Sequence, residues 1–325
     1  MHVLVTGGAG FIGSHLVDRL IANQHHVTVL DDLSTGRRDN VAHHVGKSGF
    51  RAVYLSVLES NIVEELVKEA DVVLHLAAAV GVKYILEKPL HSMRVNVRGT
   101  ENVLEAADRH GTKVVLFSTS EIYGKSMDVP FREDHDRLLG PTTIARWSYS
   151  TSKAVDEILG IGYFEERDLP VTVVRIFNTC GPRQRGRYGM VVPRFVHQAI
   201  ENGPITVYGD GTQTRCFCSV FDVVDGIMAL LDAPRAIGEI FNLGSNEEVS
   251  ILGLAERVRA LAGSSSEIRF VPYEEAYEAG FEDMPRRVPD LTKIREYVGY
   301  RPRRTLDDIL HSVIEYRRAM AYRPS

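Results

Sequence analysis

The chain of 325 residues has 44% hydrophobic and 25% charged residues, a composition typical of a globular protein with one large domain or two interlocked ones. Its formal net charge of −5 argues against nucleic-acid binding and against a polybasic contact with a membrane. No apolar run approaches the ~20 residues that span a bilayer, and a strand pattern begins at the first residues, so no secretory leader is expected.

The cysteines give little support for a disulfide framework, because the chain has only three of them, Cys180, Cys216 and Cys218. Cys216 and Cys218 lie on one face if their segment is a strand, and no second cysteine–histidine pair stands at metal-ligand spacing. The sequence therefore predicts reduced core thiols, no metal site and a cytoplasmic location.

A glycine-rich turn follows the first apolar run, at the start of GGAGFIGSHLVDRL. Gly7, Gly10 and Gly13 stand at three-residue spacing, and apolar residues with helical periodicity follow them. A strand, a glycine turn and a helix in this order let backbone N–H groups approach a pyrophosphate at the helix N-terminus. Glycines alone often only close a turn, but here the required context is present on both sides.

The second predicted strand, HVTVL, ends in two acidic residues, Asp31 and Asp32. An acidic side chain at this strand end accepts a hydrogen bond from a ribose 2′-OH and repels a 2′-phosphate. The alternative, an exposed aspartate in a turn, does not explain the spacing from the glycines. The sequence therefore predicts NAD as the cofactor in preference to NADP.

Strands and helices alternate through the first half of the chain. Further strands are predicted over 50–55, 72–76 and 114–118, and helices over 61–68, 90–110 and 148–166. This alternation predicts an α/β fold with a doubly wound parallel sheet and ligands at the carboxyl ends of the strands. After Pro170 the elements shorten, which predicts a smaller C-terminal lobe. We expect an NAD-binding domain over 1–174, joined by later elements near 216–244, and a substrate lobe over 175–325.

The two segments VVLFSTSEIYG and RWSYSTSK hold the candidate chemistry. Tyr149 and Lys153 are four residues apart, on one face of the predicted helix. An ammonium beside a phenol favours the phenolate, so this pair is a candidate general base near neutral pH. The preceding strand ends in three hydroxyls and a carboxylate, from Ser118, Thr119, Ser120 and Glu121.

Several motifs together resemble the extended short-chain dehydrogenase/reductase family over essentially the whole chain: GGAGFIGSH, LAAAVG, NVRGT, STSEIYG, YSTSK and RIFNTCGPRQ. VPRF, TVYGDGTQTRCF and PRRVPD resemble the nucleotide-sugar contacts of the branch that rebuilds nucleotide sugars. The resemblance implies a Rossmann sheet with NAD, a C-terminal lobe for a UDP-sugar, and a homodimer formed through the helices over about 90–110 and 148–166. One departure is Ser56-Val57, where relatives usually carry an aspartate beside the adenine.

The resemblance also implies which residues contact each ligand. The expected cofactor contacts are Gly7, Gly10, Phe11, Ile12, Gly13, Asp31, Asp32, Leu76, Ala77, Ala78, Asn96, Ser118, Tyr149 and Lys153. The expected substrate contacts are Asn178, Val192, Arg194, Thr206, Tyr208, Arg215 and Arg287. For Asn96, a buried helical asparagine more often ties down a neighbouring loop, and for Arg215 the alternative is a surface ion pair.

The Ser120-Glu121 pair is similar to that of UDP-glucuronate decarboxylases. Sugar 4,6-dehydratases typically have Asp-Glu here, and 4-epimerases have a small residue in place of Glu121. The preferred function is therefore decarboxylation of UDP-glucuronate to UDP-xylose or its 4-keto intermediate. A UDP-sugar 4-epimerase, acting on UDP-glucose/galactose or UDP-glucuronate/galacturonate, is the first alternative. GDP-mannose 4,6-dehydratases also carry Ser-Glu, which keeps dehydration open, and a non-catalytic sensor of NAD or a nucleotide sugar is a further alternative.

The resemblance implies a role for each catalytic candidate. Tyr149 would remove the proton of the sugar 4-OH, with Lys153 lowering its pKa and Thr119 sharing a hydrogen bond with the same hydroxyl. Glu121 would act as acid or base at C5, and Ser120 has the weakest claim because serines at strand ends usually form turns. Arg287 would orient the substrate carboxylate or assist proton delivery, unless it is a surface arginine beside Arg286.

Overall fold

The computed structural model describes residues 1–81, 87–186, 190–272, 275, 284 and 286–321. Its strands are β1 (His2–Thr6), β2 (His26–Leu30), β3 (Phe50–Val53), β4 (Val72–His75), β5 (Lys113–Thr119), β6 (Val171–Ile176), β7 (Thr179–Cys180), β8 (Ile205–Tyr208), β9 (Thr214–Cys216), β10 (Cys218–Ser219), β11 (Ile240–Leu243), β12 (Glu248–Ser250) and β13 (Ile268–Val271). Its helices are α1 (Phe11–Ala22), α2 (Ser60–Lys68), α3 (Pro89–Met93), α4 (Gly99–His110), α5 (Ser148–Arg167), α6 (Val191–Ile200), α7 (Val220–Leu231), α8 (Ile251–Leu261), α9 (Thr292–Val298) and α10 (Leu306–Ala321).

The central sheet within these residues has seven parallel strands in the order β11-β6-β5-β4-β1-β2-β3. Strands β1, β4 and β5 are runs of valine and leucine that are buried almost throughout, because helices cover both faces of the sheet. Helices α1 and α7 close one face, with Leu20 and Ile227 in the core, and α2 and α4 close the other, with Leu66 and Leu104. The predicted doubly wound parallel sheet is confirmed.

The strand order reverses beside β1, which pairs with β2 on one side and with β4 on the other. The connections after β1 and β4 therefore run to opposite sides of the sheet and leave a crevice at their carboxyl ends. Gly7 follows β1 and Leu76 follows β4, so the glycine turn and the small residues after β4 face each other across this crevice.

A second core lies in the C-terminal half, where α6, α8 and α10 pack against β8. Strand β8 pairs with β13, and β9 pairs with β12. Strand β11 returns to the central sheet and pairs with β6, while residues from Leu291 to Tyr300 pack into the core beside α1 and α7. The chain thus crosses between the two cores more than once, and the exact division at residue 174 stays a prediction.

The helix predicted over 90–110 is interrupted. The chain forms α3, then a π-helical turn (Arg94–Arg98), and only then α4. The wider turn contains Asn96, whose Oδ1 accepts a hydrogen bond from the backbone N–H of Ala79 at 2.8 Å and whose Nδ2 donates to Ser152 Oγ at 3.0 Å. π-turns inside helices are often found at functional sites, where they redirect a side chain. Periodicity alone did not show the interruption.

Strand β3 also ends two residues earlier than predicted. The chain leaves the sheet after Val53, and the carbonyl of Val57 accepts a hydrogen bond from Asn102 Nδ2 of α4 at 2.9 Å.

Within the described part of the chain no helix is long and apolar enough to cross a membrane. The three cysteines are buried free thiols, and the cytoplasmic location stays a prediction.

Candidate active site

A cavity of about 490 Å³ opens at the carboxyl ends of the parallel strands. It is lined by the glycine turn, the ends of β4 and β5, the start of α5, and segments of the C-terminal lobe. The predicted site residues that line it are Gly7, Gly10, Phe11, Ile12, Gly13, Asp31, Asp32, Leu76, Ala77, Ala78, Ser118, Thr119, Ser120, Glu121, Tyr149, Lys153, Asn178, Val192, Arg194, Tyr208, Arg215 and Arg287.

The glycine turn leaves no space for side chains at two of its positions. Gly7 has a φ of +71°, and a Cβ there would lie 2.9 Å from the backbone nitrogen of Ala77. A Cβ on Gly13 would overlap the carbonyl oxygen of Gly7. Backbone N–H groups at the start of α1 are therefore accessible to a pyrophosphate, which is the contact that a dinucleotide cofactor requires.

Asp31 is buried beside this turn and fixes it. Its two carboxylate oxygens accept hydrogen bonds from the backbone N–H of Ala9 at 2.9 Å and of Leu33 at 2.8 Å. Burial raises the pKa of the Asp31 carboxyl, although both hydrogen bonds oppose the shift. Its remaining lone pairs can accept from a ribose hydroxyl. Asp32 is exposed and accepts from the backbone N–H of Ser34 at 2.9 Å.

Two predicted contacts, Asn96 and Thr206, are not among the residues that line the cavity. Asn96 instead joins the loop after β4 to α5, through Ala79 and Ser152. The hydroxyl of Thr206 accepts from Gln198 at 2.9 Å, and its carbonyl accepts from Arg194 at 3.2 Å. Both residues therefore support elements that reach the cavity. Ser56, the departure from the family pattern, accepts from the backbone N–H of Leu58 at 3.2 Å, while Val57 lines the cavity.

Tyr149 lies at the start of α5, where its phenol is close to the hydroxyl of Thr119. Burial and the negative charges of Glu121 and Asp156 raise the pKa of Tyr149, and the opposing effects of Thr119 and Arg146 are smaller. This direction differs from the predicted lowering by Lys153. The main reason is burial of the phenol, and the Lys153 ammonium is in addition paired with a carboxylate oxygen of Asp156 at 2.9 Å.

A buried polar chain lies beside the Lys153–Asp156 pair. The hydroxyl of Thr100 is 3.1 Å from Nε2 of His75, whose Nδ1 is 2.8 Å from Thr6 Oγ1. Burial and the nearby charge of Lys153 lower the pKa of His75 to about 3, so this imidazole is neutral near pH 7. The chain joins β1, β4 and α4 beside the face of α5 that carries Lys153.

Glu121 lies between two arginines. Its Oε1 accepts from Arg287 at 2.6 Å, and its Oε2 is 2.5 Å from Nη1 of Arg146. The side chains of Glu121, Arg146 and Arg287 are only 12%, 4% and 9% exposed. Burial disfavours the carboxylate, but the two guanidinium groups outweigh burial and lower the pKa of Glu121 to about 2. Arg286, in contrast, forms a surface ion pair with Glu248.

Sequence reasoning missed Arg146. Its position three residues before Tyr149 was the available signal, because it brings the guanidinium to the same end of α5. The residue stands in a 3-10 turn (Ala145–Trp147) that runs directly into the helix. Thr119 caps a second 3-10 turn (Ser120–Tyr123), since its Oγ1 accepts from the backbone N–H of Glu121 at 3.2 Å.

A second buried network holds this region together. Arg175 of β6 donates from Nε at 3.0 Å and from Nη2 at 2.8 Å to the two oxygens of Glu157, and Ser118 also donates to Glu157. Arg175 Nη1 donates to the phenol oxygen of Tyr123 at 3.0 Å, and this phenol donates to Asn242 Oδ1 at 2.7 Å. The network connects α5 with β5, β6 and β11.

The same network reaches the segment that carries Arg287. Asn242 Nδ2 donates to the carbonyl of Phe131 at 2.8 Å, and the backbone N–H of Phe131 donates to the carbonyl of Val288 at 2.8 Å. Arg287 is therefore held to the sheet through backbone contacts beside it.

The C-terminal lobe contributes cations and an aromatic ring to the other end of the cavity. The Arg194 guanidinium stands 3.8 Å from the ring centroid of Tyr208. Arg215 donates to the carbonyl of Thr214 at 2.7 Å, and Asn178 donates to the carbonyl of Cys216 at 3.2 Å. Cations beside an aromatic ring suit the phosphates and base of a nucleotide. Four further residues line the cavity here and lie within the motifs RIFNTCGPRQ and TVYGDGTQTRCF, although they were not named individually as contacts: Thr179, Gln184, Gln213 and Phe217.

Residues 3–244 match the family model described as the NAD dependent epimerase/dehydratase family. The chain belongs to this family. Its cofactor is NAD, for which the glycine turn and Asp31 form the expected cradle. The predicted membership of the extended short-chain dehydrogenase/reductases and the prediction that the chain is an enzyme are therefore confirmed.

Two curated relatives align with nearly the whole chain. The chain is 43% identical over 314 residues to the UDP-N-acetyl-alpha-D-glucosaminuronate decarboxylase of Bacillus cytotoxicus, and the alignment covers 96% of each protein. It is 37% identical over 317 residues to UDP-glucuronic acid decarboxylase 1 of Danio rerio, covering 97% of this chain and 72% of the relative.

Solved structures of related enzymes have the same fold. The UDP-glucuronic acid 4-epimerase of Bacillus cereus, in complex with UDP-glucuronic acid and NAD, matches with a TM-score of 0.89 at 29% identity, covering 98% of this chain and 100% of that one. The UDP-glucose 4-epimerase of Thermus thermophilus in complex with NAD matches with a TM-score of 0.85 at 30% identity, covering 98% and 99%.

Gly13→Ala should weaken NAD binding by at least about tenfold, because the added Cβ displaces the glycine turn from the pyrophosphate. Isothermal titration of the cofactor-stripped protein with NAD measures the change. Gly203→Ala is the matched control, since its Cβ would come no closer than 3.9 Å to Gln198 O, and it should bind NAD like the unmodified protein. Equal affinities of the two variants for NAD would contradict the expected binding of the cofactor at the glycine turn.

Proposed function

We propose that the protein decarboxylates UDP-glucuronate through transient oxidation at C4, and that the product is UDP-xylose or its 4-keto intermediate. The observation that carries the proposal is the pair of buried arginines on Glu121, in the cavity that also contains Tyr149. Guanidinium groups in the cavity suit a carboxylate on the substrate, which they can bind through two parallel hydrogen bonds. The decarboxylase relatives support the same chemistry.

The oxidation step needs a base at the sugar 4-OH and a hydride acceptor. Tyr149 accepts the hydroxyl proton, and Thr119, which lines the same cavity, holds the same sugar oxygen in line. NAD, when bound, supplies the acceptor for the C4 hydride and returns it at the end of the cycle. Lys153 lies one helical turn after Tyr149, where its ammonium can reach the ribose beside the nicotinamide.

The carbon–carbon cleavage follows from the position of the new ketone. A C4 ketone is β to the carboxylate, so the electron pair of the C5–C6 bond moves into a C4 enolate as CO2 leaves. Tyr149 and Thr119 stabilise that enolate oxygen by hydrogen bonds. When UDP-xylose is the product, a proton from the solvent adds to C5 and the hydride returns to C4, so the cycle consumes one proton and involves no net oxidation. When the 4-keto pentose is released, the hydride stays on the cofactor and each turnover consumes one NAD.

Glu121 serves this cycle as an anion. Because its pKa is lowered to about 2, it does not carry the proton for C5 in the resting protein. It instead holds Arg287 at the cavity, where the guanidinium orients the substrate carboxylate. This is a narrower role than the acid/base function predicted from the sequence.

A second candidate substrate is the 2-acetamido relative of UDP-glucuronate, favoured by the 43% identity to a UDP-N-acetyl-alpha-D-glucosaminuronate decarboxylase. The same residues would act, since the carboxylate and the 4-OH are common to both sugars. Only the pocket around the sugar C2 substituent would differ.

Incubation of the NAD-loaded protein with UDP-glucuronate should release CO2 and form UDP-xylose or the 4-keto pentose, as followed by an NMR time course. UDP-glucose is the control that lacks the carboxylate and should give no CO2. UDP-N-acetylglucosaminuronate, assayed in parallel, decides between the two acids. Formation of UDP-galacturonate alone would contradict decarboxylation in favour of 4-epimerisation, and loss of water from the sugar would favour dehydration.

Variants should separate oxidation from decarboxylation. Tyr149→Phe should abolish reduction of bound NAD by substrate, because the base is missing. On the plateau of their pH profiles, Glu121→Gln and Arg287→Ala should keep NAD reduction within about fivefold of the unmodified protein and lower CO2 release about 100-fold. Stopped-flow absorbance of NADH and trapped CO2 measure the two steps. Arg257→Ala, which removes surface ion pairs with Asp307 and Glu247, is the control. Equal losses in both steps would exclude the assigned roles of Glu121 and Arg287.

We infer further that the protein is a homodimer formed through α4 and α5. The support is the exposure of apolar side chains near these helices, since Ile158 on α5 is 68% exposed and Leu90 on α3 is also exposed. Two such helices from each subunit would bury these side chains in a four-helix contact.

Sedimentation should give about twice the chain mass of 36.3 kDa for the unmodified protein. Ile158→Glu should shift the protein to monomer, because a charge would be buried at the contact. Val45→Glu, at an exposed valine on another surface, should remain dimeric. A monomeric unmodified protein would refute the dimer.

A further inference from the structure

We propose that Arg146 is a positioning residue, which keeps the charge of Glu121 balanced while Arg287 turns to the carboxylate of the substrate. The inference rests on the proposed decarboxylation. In this proposal Arg146 pairs with the carboxylate of Glu121, and Arg287 pairs with the carboxylate of the substrate.

The geometry separates the two arginines. Each binds a different oxygen of Glu121, at 2.5 Å for Arg146 and 2.6 Å for Arg287, so either contact can be broken without the other. Arg146 belongs to the turn that begins α5 and lies 5.7 Å from the ring centroid of Trp147. It is therefore fixed to the same helix as Tyr149. Arg287 reaches Glu121 from a distant segment and presents the second guanidinium to the cavity.

The charges of the three side chains explain the role that we assign to Arg146. When the substrate binds, its carboxylate attracts Arg287 away from Glu121. Without Arg146, Glu121 would then be a buried anion beside the carboxylate of the substrate. Burying two such carboxylates with a single cation is unfavourable, because neither keeps a full counter-charge. With Arg146 retained on Glu121, both carboxylates stay paired throughout binding. After CO2 leaves, Arg287 can return to Glu121.

The same charges act on the catalytic phenol. The charged groups around Tyr149 are Glu121 from the turn after β5, Arg146 from the turn before α5, and Asp156 from its own helix, where it is paired with Lys153. Arg287 pairs with Glu121 from the other oxygen. Glu121 and Asp156 raise the pKa of Tyr149, whereas Arg146 lowers it. Arg146 therefore offsets the effect of Glu121 on the base.

This opposition predicts a pattern that a purely structural arginine would not give. Loss of the cation in Arg146→Met raises the pKa of Tyr149, so the rising limb of NAD reduction against pH should move up by about one unit. Loss of the anion in Glu121→Gln should move it down by about the same amount. The double variant should have a pH midpoint close to that of the unmodified protein. Arg146→Lys should also have a midpoint close to that of the unmodified protein, because it keeps the cation.

The experiment uses NAD-loaded protein and UDP-glucuronate in single turnovers across a range of pH. NADH absorbance reports C4 oxidation, and trapped CO2 reports the later step. Arg146→Met should lower CO2 release about 100-fold in the unmodified background, but less than about threefold when Glu121 is already glutamine. Arg257→Met, which breaks a surface pair with Asp307 at 2.5 Å, should change neither readout. Thermal unfolding and bound NAD confirm that each variant is folded.

The outcomes separate this inference from the proposed function. If the unmodified protein releases no CO2, the proposed function fails and the exchange of Arg287 fails with it. If CO2 is released but Arg146→Met leaves the pH midpoint in place, or its effect on CO2 release is the same in both backgrounds, Arg146 does not act through Glu121. Arg146→Gln, which also removes the cation, provides the same decision if the methionine variant does not fold.

Discussion

The buried ion pair between Glu157 and Arg175 is the constraint on which the site depends. Moving such charges out of water costs several kcal/mol per ion, so the pair persists only with good geometry and full hydrogen bonding. Here both carboxylate oxygens are bonded by the guanidinium, and Ser118 and Tyr123 add further contacts. Glu157 lies on the same stripe of α5 as Tyr149 and Lys153, at successive intervals of four residues. Fixing Glu157 to the sheet therefore also fixes the rotation of the catalytic face.

Much of this arrangement follows from local sequence. Runs of buried valine and leucine, the glycine turn and the i,i+4 spacing of Tyr149 and Lys153 each depend on neighbours in the chain, so periodicity was enough to place them. Asn96 and Thr206 show the limit. Their surroundings are set by Ala79 and Gln198, which lie 17 and 8 residues away. A side chain whose partner comes from another element cannot be assigned to a ligand by its motif alone.

The burial of the arginines could not be predicted from local sequence either. Arg286 and Arg287 are adjacent in sequence, yet one forms a surface pair and the other is buried on Glu121, 166 residues away. Arg146 is a further case, because nothing in its own segment predicts that its guanidinium is buried. Burial of a charged group depends on a counter-charge brought by the fold, and the chain order does not contain that information. The interrupted helix at Arg94–Arg98 is likewise set by tertiary contacts.

The ion pairs around Tyr149 also connect the two proposed steps, C4 oxidation and decarboxylation. The ammonium of Lys153 is already paired with the carboxylate of Asp156. The balance of charge at Tyr149 is then decided by Glu121 and Arg146, which act on its pKa in opposite directions. Glu121, the residue whose sequence motif favours decarboxylation over epimerisation, thus also acts on the pKa of the proposed base, Tyr149. A small residue at position 121 would remove the anion that pairs with Arg146 and Arg287, so a change of product choice at this position would also alter the pH dependence of the proposed oxidation.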